Sequence, residues 1–162
     1  MEIRGFIEDD WAQVWPIVRE VVRAADTYTY EPDMSEEDAR GTWAEAPPSR
    51  TVVAVEDGRV LGTAKMGPNR GGPGSHVSTA SFMVAEDVRG KGVGSALCAH
   101  VLDWAREQGF AGMQFNAVAE SNVAGIRVYE RLGFKIVGTV PGAFAHPTQG
   151  RIGLHVMYCD FS

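Results

Sequence analysis

The sequence predicts an α/β (α+β) fold, in which helices cover the faces of a mixed β-sheet. The first observation is the order of the elements, which reads β-α-α-β-β-β-α-β-α-β-β. The second is Asp57-Gly58 between two runs, Thr51 to Glu56 and Arg59 to Met66, which predicts an antiparallel hairpin. The third is a strand, a glycine-rich turn and a helix in direct succession over residues 80–95. Because no linker or repeat interrupts the 162 residues, we expect a single domain over residues 1–162.

The elements before the hairpin are one strand and two helices. Ile3 to Ile7 alternates weakly and predicts the first strand. Apolar residues then recur at helical spacing over residues 11–22, where Pro16 predicts a kink or a late start of the regular helix. Ser35 begins a capping pattern for a second short helix that ends near Trp43.

The elements around the glycine-rich turn follow the hairpin. Gly67 to Gly74 carries four glycines and two prolines and predicts a loop. His76 to Val84 is the fourth predicted strand. The helix after the turn has its apolar period from Ser95 and ends at Gly109, which is typical of a residue that follows a helix. Ala111 to Val118 is the fifth predicted strand.

The last predicted elements are a helix and two strands. Glu120-Ser121-Asn122 opens the helix, which stops at Gly133. Phe134 to Val140 and Arg151 to Phe161 are the sixth and seventh strands. The Pro- and Gly-containing segment 141–150 between them is predicted to be a loop.

Composition and charge exclude several classes of protein. Fifteen basic and twenty-one acidic residues give a net charge of −6, which argues against nucleic acid as a partner. No apolar run approaches the 18 or so residues that cross a bilayer, and Met1 to Arg4 lacks a signal-peptide layout, so we expect no membrane association. Cys98 and Cys159 resemble reduced core thiols, so we expect a cytoplasmic protein. The four histidines lack metal-ligand spacing, so we expect no metal.

The glycine-rich turn is the most informative motif of the chain. It reads Arg89-Gly90-Lys91-Gly92-Val93-Gly94 and leads into the helix at Ser95. Glycines let a phosphate approach the main chain, and the N-terminus of the helix adds unpaired N–H groups. The spacing fits neither a P-loop nor a dinucleotide-binding fingerprint. The alternative interpretation is a tight strand-to-helix turn with solvated basic residues.

Two motifs together resemble those of the GNAT superfamily of acyl-CoA-dependent N-acyltransferases. The first is Arg89-x-x-Gly92-x-Gly94 after the strand Phe82-Met83-Val84. The second is Asn122, then Tyr129 seven residues later, then Leu132-Gly133-Phe134. The resemblance implies the GNAT fold, a mostly antiparallel seven-stranded sheet in which the fourth and fifth strands splay apart.

The resemblance also implies how acetyl-CoA binds. Its pyrophosphate would rest on the N–H groups of residues 89–95, and its pantetheine arm would lie along the main chain of Met83 and Val84. In the reaction an amine attacks the thioester carbonyl of acetyl-CoA and an oxyanion forms. A main-chain N–H near those two residues would stabilise that oxyanion. The family pattern also makes Asn122 a residue of this site.

The resemblance implies that Tyr129 is the general acid, positioned by Asn122 to protonate the sulfur of CoA as it leaves. A phenol with a pKa near ~10 carries its proton at neutral pH. The alternative interpretation is a packed aromatic residue, because Val123, Ile126, Tyr129 and Leu132 form an apolar stripe.

Two narrower resemblances concern the acceptor. Thr29-Tyr30-Glu31-Pro32 is similar to phosphinothricin-type acetyltransferases, which commonly place a carboxylate on the fourth strand where this chain has Thr79. Met113 to Val118 is similar to fungal azetidine-2-carboxylate-type acetyltransferases, in which the residue matching Asn116 contacts the acceptor. Substrate contacts are therefore predicted for Asn116, Thr79, Tyr30 and Glu31. The general base stays open between Glu31, Glu120 and an ordered water.

Three further residues could add to the acceptor wall, namely Tyr28 and, more weakly, His146 and Arg151. The long segments 26–34 and 141–150 favour a closed pocket for a small molecule. The chain is thus expected to acetylate a primary or secondary amine of an amino-acid-like or toxin-like small molecule. The alternatives are a protein N-terminal or lysine acetyltransferase and a non-catalytic acyl-CoA sensor. The resemblance also allows a homodimer through the last two strands.

Overall fold

The computed structural model describes residues 1–162 as one seven-stranded sheet with four α-helices. In chain order the elements are β1 (Glu2–Gly5), α1 (Trp11–Ala24), α2 (Glu36–Trp43), β2 (Arg50–Glu56), β3 (Arg59–Pro68), β4 (Val77–Val84), α3 (Val93–Glu107), β5 (Gly112–Ala119), α4 (Val123–Arg131), β6 (Lys135–His146) and β7 (Gly150–Asp160). The strand order in the sheet is β1-β2-β3-β4-β5-β7-β6. Every neighbouring pair is antiparallel except β4 and β5, which confirms the mixed sheet.

The parallel pair β4 and β5 is joined only at its start. Val77 pairs with Gly112 and Ser78 with Met113, and no further residues of the two strands pair. The buried Ser78 hydroxyl closes this end by donating to the Gly112 carbonyl at 2.8 Å. The two strands therefore separate towards their C-terminal ends, as predicted, and open a gap in the middle of the sheet.

Helices pack on both faces of the sheet. The larger core of 18 buried residues joins α3 to one face, and a second core of 12 joins α1 and α2 to the other. Neighbours on one strand alternate between the two, because Val52 belongs to the first and Val53 to the second. β4 therefore contacts α3 on one face and α1 on the other, next to the gap.

Local sequence signals predicted several boundaries correctly. Asp57 and Gly58 have φ of 51° and 76°, as a two-residue hairpin turn requires. The Ser35 hydroxyl caps α2 by accepting from the N–H of Asp38 at 3.1 Å. The predicted late start of α1 is wrong, since the helix runs through Pro16 from Trp11. Pro16 is exposed, so the carbonyl that its ring leaves unpaired can meet solvent.

The predicted loop at 141–150 is also wrong. β6 continues to His146, and only residues 147–149 turn the chain into β7. A register irregularity between Val140 and Phe144 absorbs the proline and glycine there, and β6 is an edge strand, which tolerates proline. His146 accepts from the N–H groups of this turn at 3.1 and 3.2 Å. Neither His146 nor Arg151 is among the residues that line the pocket beside β4, contrary to the prediction. The predicted loop Gly67 to Gly74 begins later than expected, because Gly67 and Pro68 still belong to β3.

Candidate active site

The main chain of β4 presents polar groups to the gap between β4 and β5. Ala85, just after β4, donates its N–H to Leu61 of β3 at 2.9 Å, and Met83 lies opposite Thr63 of β3. Because main-chain groups alternate along a strand, those of Phe82 and Val84 point the other way, into the gap. The Met83 main chain therefore faces β3, and its side chain is 2% exposed in the core under α1. Of the two predicted main-chain positions, only Val84 faces the gap, and Phe82 takes the place of Met83.

The Tyr28 hydroxyl makes hydrogen bonds with both main-chain polar groups of Phe82. It donates to the Phe82 carbonyl at 2.6 Å and accepts from the Phe82 N–H at 2.8 Å. Burial raises the pKa of Tyr28 above its ordinary value, so the phenol stays neutral. Tyr30 stacks on the same ring at 5.8 Å between centroids.

A cavity of about 370 Å³, called here the β4–β5 cavity, lies over this part of the gap. Its walls are residues 26–30 after α1, residues 79–84 of β4 and residues 115–118 of β5. Three of the predicted acceptor residues, Thr79, Asn116 and Tyr30, are among them.

Two predicted carboxylates lie away from the β4–β5 cavity. Glu31 is exposed and does not line it. Glu120 accepts from the N–H of Gly153 on β7 at 2.8 Å and does not line it either. Asp26 is the one acidic residue among the lining residues, and the sequence analysis did not select it.

Asn116 reaches the cavity because β5 is irregular at this point. The register with β7 shifts between Phe115 and Val118, which releases Asn116 from the ladder. Its side-chain amide pairs reciprocally with that of Asn69, at 2.7 and 3.2 Å. Gln114 donates to the same Asn116 oxygen at 3.0 Å. The pair links the loop after β3 to β5 at Asn116, a lining residue of the cavity.

A second depression of about 520 Å³, called here the turn groove, runs between the glycine-rich turn and α4. Gly90 and Gly92 have φ of 77° and 88°, a region that side chains with a Cβ rarely adopt. The first N–H groups of α3, including those of Gly94 and Ser95, have no carbonyl one turn earlier to bond. Three of the groove's lining residues are arginines, and they are Arg89, Arg127 and Arg131.

Two predicted residues of the turn do not line the groove. The Val93 side chain is 4% exposed and packs into the larger core, so it offers only its main chain. Lys91 is exposed, and its N–H already donates to the Val88 carbonyl at 3.3 Å. The groove is therefore built from Gly90, Gly92, Gly94 and the start of α3 rather than from the whole motif.

Asn122 is held by its own helix. Its Oδ1 accepts from the N–H of Gly125 at 3.2 Å and so caps α4. A Cβ at position 125 would lie 2.6 Å from Nδ2 of Asn122, so any larger residue there must displace the Asn122 side chain. Asn122 lines both depressions, and its Nδ2 makes no hydrogen bond within the protein.

Tyr129 lies where the two depressions meet. Its ring packs against Phe115 at 4.7 Å and Phe134 at 5.9 Å between centroids. Burial raises the pKa of Tyr129 well above its ordinary value. The residue lines both the β4–β5 cavity and the turn groove, and its hydroxyl has no partner within the protein. Tyr129 is thus a packed aromatic residue that keeps its proton at neutral pH.

The cysteines and the possible metal ligands lie outside this arrangement. Cys98 and Cys159 are free and buried, and burial raises the pKa of Cys98 to about 12. Such thiols are poor nucleophiles. No group of three or more His, Cys, Asp or Glu side chains is close enough to hold a metal ion. None of the helices is both long enough and apolar enough to span a bilayer.

Four contributors to the site were not predicted from the sequence. They are the Phe82 main chain, the Asp26 carboxylate, and Arg127 and Arg131 on α4. The two arginines carry a sequence signal, because a spacing of four places them on one face of a helix. Phe82 could have been found from the alternation of β4, whereas Asp26 enters only through the packing of the segment after α1.

The chain matches a known family. Residues 15–134 match the model of the acetyltransferase (GNAT) family. Among solved structures, a GCN5-related N-acetyltransferase from Kribbella flavida is 51% identical with a TM-score of 0.96, covering 98% of this chain and 96% of that one. The acetyltransferase yncA from Salmonella typhimurium, solved with its cofactor acetyl-CoA, is 25% identical with a TM-score of 0.87, covering 99% of this chain and 94% of that one.

Curated relatives include acetyltransferases named for small molecules. The phosphinothricin N-acetyltransferase of Streptomyces coelicolor is 28% identical over 147 residues, covering 86% of this chain and 84% of that protein. The streptothricin acetyltransferase of Streptomyces lavendulae is 36% identical over 99 residues, covering 60% of this chain and 51% of that protein. The chain thus spans only about half the length of the latter relative.

Proposed function

Because the chain belongs to the acetyltransferase (GNAT) family and is an acetyl-CoA-dependent N-acetyltransferase, we propose that it transfers the acetyl group directly to a primary or secondary amine of a small molecule. One observation carries the proposal. The turn groove and the β4–β5 cavity share five lining residues, which are Phe82, Val84, Arg89, Asn122 and Tyr129. A donor in the groove and an acceptor in the cavity would therefore meet at this shared wall.

The turn groove suits the phosphates of CoA. The glycines leave room for close approach, and the unpaired N–H groups at the start of α3 favour a diphosphate. Arg89, Arg127 and Arg131 concentrate positive charge in a chain whose net charge is −6. This local reversal of charge supports a polyanionic ligand in the groove.

The gap-facing main chain of β4 suits the pantetheine arm and the acetyl group. Phe82 and Val84 offer N–H and C=O groups to an extended ligand, as a neighbouring strand would bond. An N–H directed at the thioester oxygen stabilises the negative charge that develops there, an effect of about 3 kcal/mol per donor. The Tyr28 hydroxyl must leave Phe82 for the arm to pair with it.

Tyr129 is suited to protonate the departing sulfur. It lies at the shared wall, and the pKa shift keeps its proton in place throughout the neutral range. Packing against Phe115 and Phe134 fixes the ring, so that only the hydroxyl is left for chemistry. The acid and packing interpretations of Tyr129 are therefore compatible.

The shape of the β4–β5 cavity favours a small acceptor. Residues 26–30 cover one side of the cavity. A peptide would need an open channel past this wall. Thr79, Asn116 and Tyr30 would contact the acceptor, while Glu31 keeps no role because it lies outside the cavity.

Three further parts of the proposal concern the protein as a whole. We assign the activity to a single domain over residues 1–162 in the cytoplasm. A homodimer would form along edge strand β6, where Ile136, Val137 and Val140 are 43, 68 and 55% exposed. Light scattering at several concentrations checks the dimer, and a Val137→Lys variant should then be monomeric.

Calorimetry and a thiol-release assay test the proposal. The protein should bind CoA and release thiol from acetyl-CoA when supplied with one class in a panel of amino acids, other small amines, polyamines and peptides. CoA binding without acceptor-dependent release would instead indicate an acyl-CoA sensor, and release with peptides alone a protein acetyltransferase. No affinity for CoA would refute the proposal as a whole.

A further inference from the structure

Asp26 is an unpaired carboxylate at the wall of the β4–β5 cavity. It is the only acidic residue among the 19 that line the cavity. It is partly buried and directly follows Ala25, the residue with φ of 53° that ends α1. The carboxylate makes no hydrogen bond and no ion pair with the rest of the chain. The Asp26 oxygens are not among the fully buried side-chain atoms, so they stay open to solvent and available to a ligand in the cavity.

The surroundings of Asp26 favour a cation. The C-terminal end of α1, whose last turn contributes Val21 to the same cavity, carries the negative end of the helix dipole. Tyr28 and Tyr30, two and four residues further on, add aromatic faces that attract cations. The only basic residue of the cavity, Arg89, belongs to the glycine-rich turn that the cavity shares with the groove.

We infer that Asp26, together with the stacked Tyr28 and Tyr30, forms the subsite that binds the acceptor as a cationic amine. The inference rests on the proposed function, because it takes the β4–β5 cavity to be the acceptor site. A small amine with a pKa near ~10 is protonated at neutral pH, so it arrives as an ammonium ion. The carboxylate holds that ion until its proton passes to water and the neutral amine can react. Asp26 is thus a specificity-determining residue for amines over neutral acceptors of the same shape.

The first test measures binding without turnover. Phenethylammonium and its neutral analogue 2-phenylethanol are titrated into the protein with CoA bound, and amide chemical shifts are followed by NMR. The wild type should bind the cation at least tenfold more tightly than the alcohol, and Asp26→Asn should reduce this preference to less than threefold. Asp33→Asn is the matched control, because Asp33 lies on the same segment, is exposed and does not line the cavity. A wild type without a cation preference, or an Asp26→Asn protein that keeps one, would overturn the inference.

The second test uses kinetics with the best amine of the thiol-release panel. Asp26→Asn should raise KM for the amine at least tenfold, with kcat within threefold of the wild type and an unchanged Kd for CoA. An unchanged KM with a strongly reduced kcat would also refute it, since that result assigns proton removal rather than binding to the carboxylate. If no amine supports release but the cation preference depends on Asp26, the transferase proposal fails and the subsite stands.

Discussion

The hydroxyl of Tyr28 satisfies both gap-facing main-chain groups of Phe82, at 2.6 Å to the carbonyl and 2.8 Å from the N–H. These are the groups to which an extended ligand in the gap would bond. The free protein therefore keeps its strand edge satisfied by a side chain 54 residues earlier in the sequence. A ligand that bonds to Phe82 would exchange one set of hydrogen bonds for another, and Tyr28 would thereby set part of the cost of binding CoA in the proposed mode.

Tyr28→Phe should consequently bind CoA more tightly. The variant keeps the ring but leaves Phe82 unpaired, so the ligand no longer competes with the hydroxyl. With a net value of about 1 kcal/mol for a hydrogen bond, the Kd should fall about five- to tenfold. Calorimetry measures the change, and Tyr30→Phe, whose hydroxyl makes no such bond, serves as the control. A Kd equal to or above that of the wild type would mean that the arm does not lie against Phe82.

Some residues of this chain determine their local structure without help from the rest of the fold. Asp57-Gly58 and Ser35 specify their turn and cap through their own backbone and side chain, so their prediction was correct. Proline and glycine at 141–150 predicted a loop because their usual meaning is local as well. The edge position of β6 overrides this local signal. Proline has no N–H to donate, and none is needed on the side of β6 that pairs with no other strand.

The residues of the site also differ in whether a local motif predicts them. Tyr129, Asn122 and the glycine-rich turn were found because each belongs to a short motif with fixed spacing. Tyr28 was predicted for the acceptor wall and lines the cavity, but its bonds to Phe82 and the position of Asp26 depend on tertiary packing across more than 50 residues of chain. Alternation shows that Met83 and Val84 cannot both turn their main-chain groups to the gap, and the register with β3 shows that Val84 and Phe82 do so.

Tyr129→Phe should lower kcat by at least a hundredfold and change the Kd for CoA by less than threefold. Phenylalanine keeps the packing against Phe115 but cannot donate a proton to sulfur. Because burial raises the pKa of Tyr129, the wild-type kcat should show no loss from its ionisation up to about pH 10, the ordinary value for tyrosine. Steady-state rates between pH 6 and 10 check both points. A kcat for the variant close to that of the wild type would remove Tyr129 from the chemistry.

Replacing either groove arginine of α4 should weaken CoA binding. Arg127→Ala and Arg131→Ala each remove a positive charge from the turn groove, and we expect a three- to tenfold higher Kd at low salt. The difference from wild type should shrink at about 0.5 M salt, because exposed charges are screened over a few ångströms there. Arg151→Ala on β7, exposed and outside both depressions, is the matched control. Equal affinities at all salt concentrations would place the phosphates away from α4.

Gly125→Ala should separate binding from stability. The new Cβ would lie 2.6 Å from Nδ2 of Asn122, so the Asn122 side chain must move and its cap on α4 is lost, at a cost of about 1 kcal/mol. Alanine inside a helix regains up to about 1 kcal/mol relative to glycine, so the free energy of unfolding should change little. Asn122→Ala loses the cap without that gain and should be less stable by about 1 kcal/mol.

If the Asn122 amide helps to hold the donor at the shared wall, both variants should nevertheless bind CoA more weakly, by a similar factor. Denaturant unfolding and calorimetry on the two variants measure these quantities, and a Gly125→Ala protein with wild-type affinity would show that Asn122 serves only as a cap.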